Sequence, residues 1–390
     1  MNAWPRVRLG DVAEIERDIV APEAIKSGET YVGLENIVSG GEFTNVGSVK
    51  SGELKSAKFA FTPSHILYGK LRPYLAKIAL PGFAGICSTD ILPVRPGNRL
   101  DRQFAAYFLR QPEMVELANS RSSGVNLPRL SPNDLADFEV PLPPLVEQRR
   151  IAAILDQADA LRAKRRAALA QLDDMAQAIF VEMFGDPAAN PHRWPQQTLG
   201  QLAIKFSDGP FGSNLKSSHY VDEGVRVVRL QNIGVGEFVD NDRAYISEAH
   251  FRSLQKHECR PGDLLIGTLG DPNLRACIQP AWLDVALNKA DCVQMRVRPE
   301  CADREYVRAL LNHPSTESLA QDRIVGQTRL RISMGRLREL AVPVPPLALQ
   351  RRFGERMACL AATKADALKA QQELDTLFAA LQHRAFRGEL

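Results

Sequence analysis

The sequence predicts an α+β protein in which two mixed, β-rich domains are joined by two long helices that form an antiparallel coiled coil, with an internal pseudo-two-fold repeat. Three observations predict this class. The second half of the chain repeats the first, short apolar runs alternate with turn residues, and two long segments carry an apolar stripe at helical spacing. The repeat places the globular domains at 1–143 and 186–345, and the helices at 144–185 and 346–390.

The repeat has an offset of about 200 residues, and its motifs keep the same order in both copies. WPxxxLG begins at residues 4 and 194, LxNI at residues 34 and 230, and GEF at residues 41 and 236. The segment VPLPPLVEQRRI (140–151) matches VPVPPLALQRRF (342–353) at eight of twelve positions. Solenoid repeats have periods of roughly 20–50 residues, so each unit here is a whole domain followed by a helix.

Short elements within the globular domains follow from local patterns. The runs YVGLENIV (31–38), HILYGKL (65–71) and DLLIGTL (263–269) lie between Gly, Pro and Asp turn residues and predict strands. The apolar spacing in 101–118 predicts one surface helix. The sequence SPND (131–134) has a capping-box spacing with proline at the first helical position, so a short helix is expected there.

The two long helices are predicted from apolar residues that recur at intervals of three and four. The first stripe contains Ile151, Ile154, Ala158, Leu161, Ala168, Leu172, Met175 and Ile179, and the second contains Phe353, Leu360, Ala367, Ala370, Leu374, Leu377 and Leu381. Such a seam is typical of a coiled coil, and Gly185 and Gly388 are expected to end the two helices. An antiparallel pair within the chain buries both stripes. The alternative is two separate amphipathic helices, each packed on its own domain.

Composition and cysteine spacing exclude several classes of protein. The formal net charge of +3 does not indicate a strongly basic nucleic-acid module. No stretch reaches the roughly 18 apolar residues of a membrane span, and the N-terminal residues lack the apolar region of a secretory signal. The six cysteines show no C-x-x-C spacing, which argues against a zinc site or a disulfide framework. We therefore expect a cytoplasmic protein with no membrane partner.

Catalytic motifs are also missing from the sequence. It contains no phosphate-binding GxxxxGK[ST] loop, no complete dinucleotide-binding glycine motif, no HExxH, and no Asn-Pro-Pro-aromatic or Asp-Pro-Pro-aromatic tetrapeptide of an amino-methyltransferase. Glu53-x-Lys55 matches the end of a nuclease motif, but it lies in a polar segment that is better interpreted as solvated surface. We expect a chain with no catalytic residues, cofactor or metal of its own.

Three kinds of segment in the globular domains suit contacts with DNA. The first is GKLRPYL (69–75), which offers Lys70, Arg72 and Tyr74 as phosphate donors and a ring for stacking. The second is the glycine-rich loop 207–220, which offers Phe211, Ser213, Asn214 and Lys216. Such loops can present backbone N–H groups to phosphates and side-chain amides to adenine edges.

The third kind of segment is a turn that recurs in both copies, in which arginines bracket a glycine. RSSGVNLPR (121–129) offers Arg121, Asn126 and Arg129, and RIVGQTRLR (323–331) offers Arg323, Gln327, Arg329 and Arg331. Arginine suits guanine or phosphate, and Asn or Gln suits adenine. Each of these side chains could instead be a solvated charge or stabilise its turn. Asn36 and Asn232, within the LxNI motifs, are expected to be structural.

These features together resemble the specificity subunits of type I restriction–modification systems. The resemblance is carried by WPxxxLG, LxNI, ILYGKLRPYL (66–75), CSTDILPVRP (87–96), DGPFGSNLK (208–216) and the VPLPPLxEQRRI segment that leads into a long helix. It covers essentially the whole chain. The second copy departs from it, because Leu349 stands where the first copy has Glu147, and this puts equal docking of two partner subunits in doubt.

The resemblance implies two target-recognition domains that each read one half of an asymmetric bipartite DNA site, with the helices setting their spacing. It also implies two modification subunits that carry S-adenosylmethionine and methylate adenine, and restriction subunits that translocate and cleave DNA. Because the arginines recur in both copies, we expect Arg121 and Arg129 to act on one half-site and Arg323 and Arg329 on the other. The alternatives are a related system without a translocating restriction subunit, or a structural coiled-coil scaffold.

Overall fold

The chain divides into two compact units, and each combines one globular domain with a segment of both long helices. Unit 1 contains Met1–Arg166 and Lys369–Leu390, and unit 2 contains Ala167–Leu368. The fold is that of a computed structural model, which describes residues 4–50, 52–270, 272–326 and 330–390.

The globular domain of unit 1 is built from three small sheets and three short helices. Its elements are β1 (Arg6–Arg8), β2 (Ala13–Ile15), β3 (Ile19–Val20), β4 (Glu29–Val32), β5 (Gly47–Val49), β6 (Lys58–Phe61), β7 (Ile66–Gly69), β8 (Ile78–Ala79), β9 (Gly85–Cys87), β10 (Ile91–Pro96), α1 (Arg102–Leu109), α2 (Pro112–Ser120), α3 (Pro132–Ala136) and β11 (Glu139–Pro141). The strand orders are β3-β6-β9-β4-β5, β2-β10-β7-β8 and β1-β11. The β4–β9 pair is parallel and the other strand pairs of these sheets are antiparallel. The long helix α4 (Leu145–Phe184) follows.

Unit 2 follows a similar plan, with one additional short helix and one additional two-stranded sheet. Its elements are β12 (Gln196–Thr198), β13 (Ala203–Asp208), β14 (Tyr220–Val221), β15 (Val225–Val228), β16 (Tyr245–Ile246), α5 (Glu248–Ser253), β17 (Glu258–Cys259), β18 (Leu264–Gly267), β19 (Ala276–Ile278), β20 (Ala286–Asn288), β21 (Cys292–Val297), α6 (Arg304–Asn312), α7 (Pro314–Leu319), β22 (Ile324–Val325), β23 (Arg331–Ile332), α8 (Met334–Arg338) and β24 (Ala341–Pro343). The strand orders are β14-β16-β15-β20-β17, β13-β21-β18-β19, β12-β24 and β22-β23. The second long helix, α9 (Leu347–Arg387), follows.

The structure confirms two of the three predicted strands and shortens the third. β7 and β18 lie where HILYGKL and DLLIGTL predict them, and their residues are buried. The predicted strand 31–38 is wrong beyond Val32, because the chain turns there. The Asn36 side chain stabilises this turn by accepting a bond from the Gly33 amide (2.8 Å) and donating to the Asn45 carbonyl (2.9 Å). Asn232 makes the same kind of turn in unit 2, so the structural role expected for both asparagines is confirmed.

The single helix predicted over 101–118 is wrong, because the segment folds as two helices, α1 and α2. Pro112 is the first residue of α2, where its missing N–H costs nothing, whereas inside a continuous helix it would remove a hydrogen bond and clash. The Asp101 side chain caps α1 by accepting bonds from the Gln103 and Phe104 amides, both at 3.0 Å. The short helix expected after Ser131 is confirmed as α3, whose first turn donates to the Ser131 hydroxyl.

The long helices pack against each other in each unit with antiparallel polarity. In unit 1, Arg162 donates to Asp375 at 2.6 Å, and Arg150, twelve residues earlier in α4, reaches the carbonyl of Leu390 at 3.0 Å. In unit 2, Lys364 pairs with Asp173, and Arg356 of α9 lies 3.9 Å from Glu182 of α4. In both units the numbers of the contacting residues in and after α9 fall as those along α4 rise, which confirms the antiparallel pair. Two helices packed separately on their own domains are therefore excluded.

Each long helix begins in one unit and ends in the other. Aromatic residues near its C-terminal end complete the core of the unit in which it ends. Phe386 of α9 packs in unit 1 with its ring centroid 5.0 Å from Phe104 of α1. Phe184 of α4 packs in unit 2 with its centroid 4.8 Å from Tyr306 of α6. Between these ends the stripe is less buried than a uniform seam predicts, and Leu161, Met175 and Leu377 are about half exposed. A single partner helix covers only one side of each of these helices.

The expected helix ends are confirmed, since Gly185 and Gly388 adopt left-handed φ values of 77° and 75° immediately beyond the helices. No helix in the described part of the chain is long and apolar enough to cross a membrane.

A buried glutamine fixes the start of each long helix to its own globular domain. The Gln148 amide nitrogen donates to the carbonyls of Arg99 (2.9 Å) and Pro143 (2.8 Å), and its oxygen accepts from the Asp101 amide (2.7 Å). Gln350 repeats the arrangement in unit 2, where it bonds the Asp303 amide and the Pro345 carbonyl. Both side chains are fully buried, so these bonds are shielded from water.

Replacing Gln148 with leucine should destabilise unit 1 by about 1–3 kcal/mol, because three buried backbone groups lose their partner. The free energy of unfolding in urea measures the effect. Gln157→Leu is the matched control, since Gln157 is exposed on the same helix and its replacement should change little. Equal stability of the two variants would contradict the anchoring role.

Candidate nucleic-acid interface

The structure brings together the two segments of unit 1 that are expected to contact DNA. The loop after β7 runs beside the turn 121–129, with Leu71 and Arg129 in bridge pairing. The Arg72 amide donates to the Pro128 carbonyl (2.7 Å), and the Leu130 amide donates to the Lys70 carbonyl (3.0 Å). The predicted segments 69–75 and 121–129 therefore form one continuous surface, which we call the unit 1 rim.

The unit 1 rim presents both cationic and apolar groups to solvent. Lys70 is half-buried, and Arg72 and Tyr74 are exposed, with Arg72 in the left-handed region at φ 51°. At the tip of the turn, Val125 is 100% exposed and Asn126 is exposed beside it. A wholly exposed valine at a turn tip contributes nothing to the core. An apolar side chain there is available for contacts outside the chain, such as a thymine methyl group.

Arg121, at the other end of the turn, is exposed and lies beside an aromatic ring. Its guanidinium carbon is 5.5 Å from the centre of the Phe138 ring, so the side chain has a defined position on the domain. No carboxylate of the described residues forms an ion pair with it. Arg121 is therefore a positioned donor whose N–H groups remain available.

Unit 2 reproduces the backbone of this rim with different side chains. Leu269 pairs with Arg331, the Gly270 amide donates to the Leu330 carbonyl (3.0 Å), and the Ile332 amide donates to the Thr268 carbonyl (3.0 Å). Thr268 stands at the place of Lys70, and Gly270 at the place of Arg72. The two rims thus share a frame and differ in the groups that they present.

The glycine-rich loop of unit 2 is joined to this rim. The Arg331 guanidinium lies 5.6 Å from the centre of the Phe211 ring, so the second and third predicted segments meet here. The loop abuts the domain closely, because a Cβ on Gly209 would lie 2.1 Å from the Lys289 carbonyl carbon. Beyond Phe211, three predicted side chains are exposed: Ser213, Asn214 and Lys216. The His250 ring nitrogen lies 3.0 Å from the Asn214 carbonyl oxygen.

The rest of the second turn is only partly described. Arg323 begins the turn, its side chain lies 3.3 Å from the Asp322 carboxylate, and its carbonyl accepts a bond from Arg336 at 3.3 Å. Gln327 and Arg329 lie outside the described residues, so their predicted roles stay predictions.

The sequence analysis missed two aspartates that engage predicted arginines. Asp90 accepts a bond from the Arg129 Nε at 2.9 Å, and Asp291 lies 2.8 Å from the Arg331 Nε. The hydrogen bond and charge of Asp90 raise the pKa of Arg129 above its ordinary value. The signal was present in the sequence, because an aspartate occurs at equivalent places in CSTDIL and in NKADCV. The arginine that pairs with each aspartate, however, is about 40 residues away in the sequence.

The buried cysteines are poor nucleophiles, and the described part of the chain holds no cluster of metal-binding side chains. Burial raises the pKa of the Cys87, Cys277 and Cys292 thiols to about 12, so these thiols stay protonated and poorly nucleophilic at neutral pH. No group of three or more His, Cys, Asp or Glu side chains could hold a metal ion within residues 4–50, 52–270, 272–326 and 330–390. The surfaces described above are suited to binding.

Comparison with protein families gives a consistent result. Residues 1–171 match the family described as type I restriction modification DNA specificity domain. The EcoDI specificity subunit of Escherichia coli is 28% identical over 188 residues, which cover 47% of this chain and 42% of that protein. The EcoBI specificity subunit of Escherichia coli is 21% identical over 427 residues, which cover 100% of this chain and 86% of that protein. The chain thus spans less than half of the first relative and most of the second.

Two solved structures share the fold along nearly the whole chain. One, from a study of complex assembly and conformational transition of the type I R-M system, has a TM-score of 0.67 at 22% identity and covers 100% of this chain and 99% of its own. The other, a type I restriction-modification system S subunit from M. genitalium, has a TM-score of 0.57 at 14% identity and covers 99% of this chain and 96% of its own. At these identities the likeness establishes the fold.

Proposed function

We propose that this chain is a specificity subunit of a type I restriction–modification system, a non-catalytic subunit that reads an asymmetric bipartite site in double-stranded DNA. Each globular domain reads one half-site. The observation that carries this proposal is the repeated rim, in which one backbone frame presents different side chains in the two units.

The differences between the rims are of the kind that changes base preference. In unit 1, Lys70 and Arg72 supply cationic donors, which suit guanine edges or phosphates. In unit 2, the equivalent Thr268 and Gly270 supply none, and the loop that carries Phe211 and Asn214 lies beside the rim instead. Two surfaces with such different donors favour two different half-sites, and hence an asymmetric target.

Partner subunits are part of the proposal. The formal net charge of +3 is small for a chain that would hold duplex DNA alone, so other subunits would supply phosphate contacts. We propose that two modification subunits dock on the long helices, bind S-adenosylmethionine and methylate adenine, and that restriction subunits join them. The two helix starts differ, since Glu147 pairs with Arg150 at 2.7 Å whereas Leu349 has no charge. The two docking sites would therefore not be equal.

Exchange of one domain tests whether the readers are separable. Residues 1–143 are replaced by the matching domain of another specificity subunit, and the chimera is co-expressed with its modification subunit. Methylated adenines are then mapped by single-molecule sequencing. One half-site should change to that of the donor and the other should stay as it was, because each rim is built within one unit.

The reciprocal exchange of residues 186–345 is the matched control and should change only the other half-site. A chimera in which a single exchange alters both half-sites would show that the domains read jointly. That outcome would contradict the proposal.

We further propose that the long helices set the spacer between the half-sites. With 40 and 41 residues, α4 and α9 are each about 60 Å long, the length of about 18 base pairs of DNA. A heptad inserted after Ala168 and another after Ala370, at equivalent places in the two repeats, should keep the packing phase and add about 10 Å. Methylation mapping should then show both half-sites unchanged and a spacer longer by about three base pairs.

Four residues inserted after Ala168 alone serve as the control. This insertion breaks the match between the helices and should destabilise the pair, which thermal unfolding would show. An unchanged spacer in the double heptad variant would mean that the helices do not determine the distance.

A further inference from the structure

We propose that Arg129 and Arg331 are positioning residues that hold the reading turns in place, and that they do not themselves contact bases. Each arginine is clamped to an aspartate on a neighbouring loop, Asp90 in unit 1 and Asp291 in unit 2. This inference rests on the proposed function, because it assigns a role within DNA reading. It also changes the expectation for Arg129 and Arg331, both of which the sequence pattern placed among the DNA contacts.

The two clamps share a short contact between the arginine Nε and an aspartate Oδ1, but only the clamp of unit 1 has hydrogen-bond geometry. Arg129 Nε lies 2.9 Å from Asp90 Oδ1, and its Nη2 donates to Oδ2 at 3.4 Å, which uses two sides of the guanidinium fork. Arg331 Nε lies 2.8 Å from Asp291 Oδ1. In both pairs the arginine side chain is 44% exposed and the aspartate side chain is 26% exposed. The ion pair thus recurs in the two atoms that meet and in burial, whereas the paired hydrogen bonds occur in unit 1 alone.

Each aspartate joins the reading turn to the loop after the central strand. Its side chain holds the arginine of the turn, while its carbonyl accepts a bond from that loop: Asp90 O accepts from the Lys70 amide (2.9 Å) and Asp291 O from the Thr268 amide (3.0 Å). Loss of either partner would release the turn from one of its two attachments. The remaining attachment is the backbone bridge between the loop and the arginine itself.

The contrast between constant and variable positions separates the two roles. If the units read different bases, side chains that touch bases should differ between them, as Lys70 and Thr268 do. The arginine–aspartate ion pair, in contrast, is present in both. An arginine already paired with a carboxylate also brings little net charge to a phosphate, so it adds little to general DNA attraction. At the tip of the turn that the first clamp holds, the exposed side chains available to contact DNA are Val125 and Asn126.

Two variants and their combination test the assignment in the complex with the modification subunit. Arg129→Ala and Asp90→Asn should each weaken binding to the mapped DNA site by a similar factor, on the order of 10-fold, because both release the same turn. The double variant should be no weaker than either single variant. Methylation mapping should show relaxed recognition in the first half-site only.

If Arg129 instead reads a base or phosphate, Asp90→Asn should leave binding unchanged or strengthen it, because removal of the negative charge frees the arginine. That result, together with a large loss for Arg129→Ala, would overturn the proposal. Asp291→Asn is the matched control in unit 2, and its effect should fall on the second half-site.

A second measurement does not depend on DNA. Hydrogen exchange of the free chain should be faster at the Ser123 and Arg129 amides, which bond each other's carbonyls across the turn, in both single variants. Exchange elsewhere in the domain should stay as in the unaltered chain. Unchanged protection in both variants would overturn the clamp. If the unaltered complex methylated no bipartite site while exchange responded as expected, the proposed function would fail and the clamp would stand.

Discussion

The aromatic ends of the two long helices are the contacts on which the rest of the structure depends. Phe386 of α9 packs among the helices of unit 1, and Phe184 of α4 packs among those of unit 2. Each globular domain therefore completes its core with a helix that begins in the other repeat. Aromatic side chains bury large areas, so this exchange couples the stability of each globular domain to the helix pair. A globular domain produced without the helix that begins in the other repeat would expose the core surface that this helix covers.

Rigid attachment allows a common frame to present different side chains in the two units. The buried Gln148 and Gln350 fix each helix start to its domain, and the rim beyond is fixed by backbone bonds and by an arginine–aspartate pair. Side chains at the rim can then vary without disturbing the scaffold. Recognition sites are most accurate when rigid elements hold them. The difference between the two rims is therefore an expected consequence of the fold.

Sequence reasoning found what is periodic or repeated, and it missed contacts between distant residues. The helices follow from their apolar stripes, and the two units follow from the repeat. Pro112 is a local signal that 101–118 divides into two helices, whereas the apolar spacing of the segment favours a single helix. The pairing of Arg129 with Asp90 joins residues 39 positions apart, which no local pattern encodes. The burial of Phe386 in unit 1 similarly depends on how the chain closes on itself.

The proposed function requires that two readers on one helix pair recognise two half-sites at a fixed distance. The most direct test is to co-express the unaltered chain with its modification subunit and map every methylated adenine in the host genome by single-molecule sequencing. The expected result is one motif made of two different half-sites, separated by a non-specific spacer of constant length. A single contiguous motif, two identical half-sites, or a spacer of variable length would contradict it.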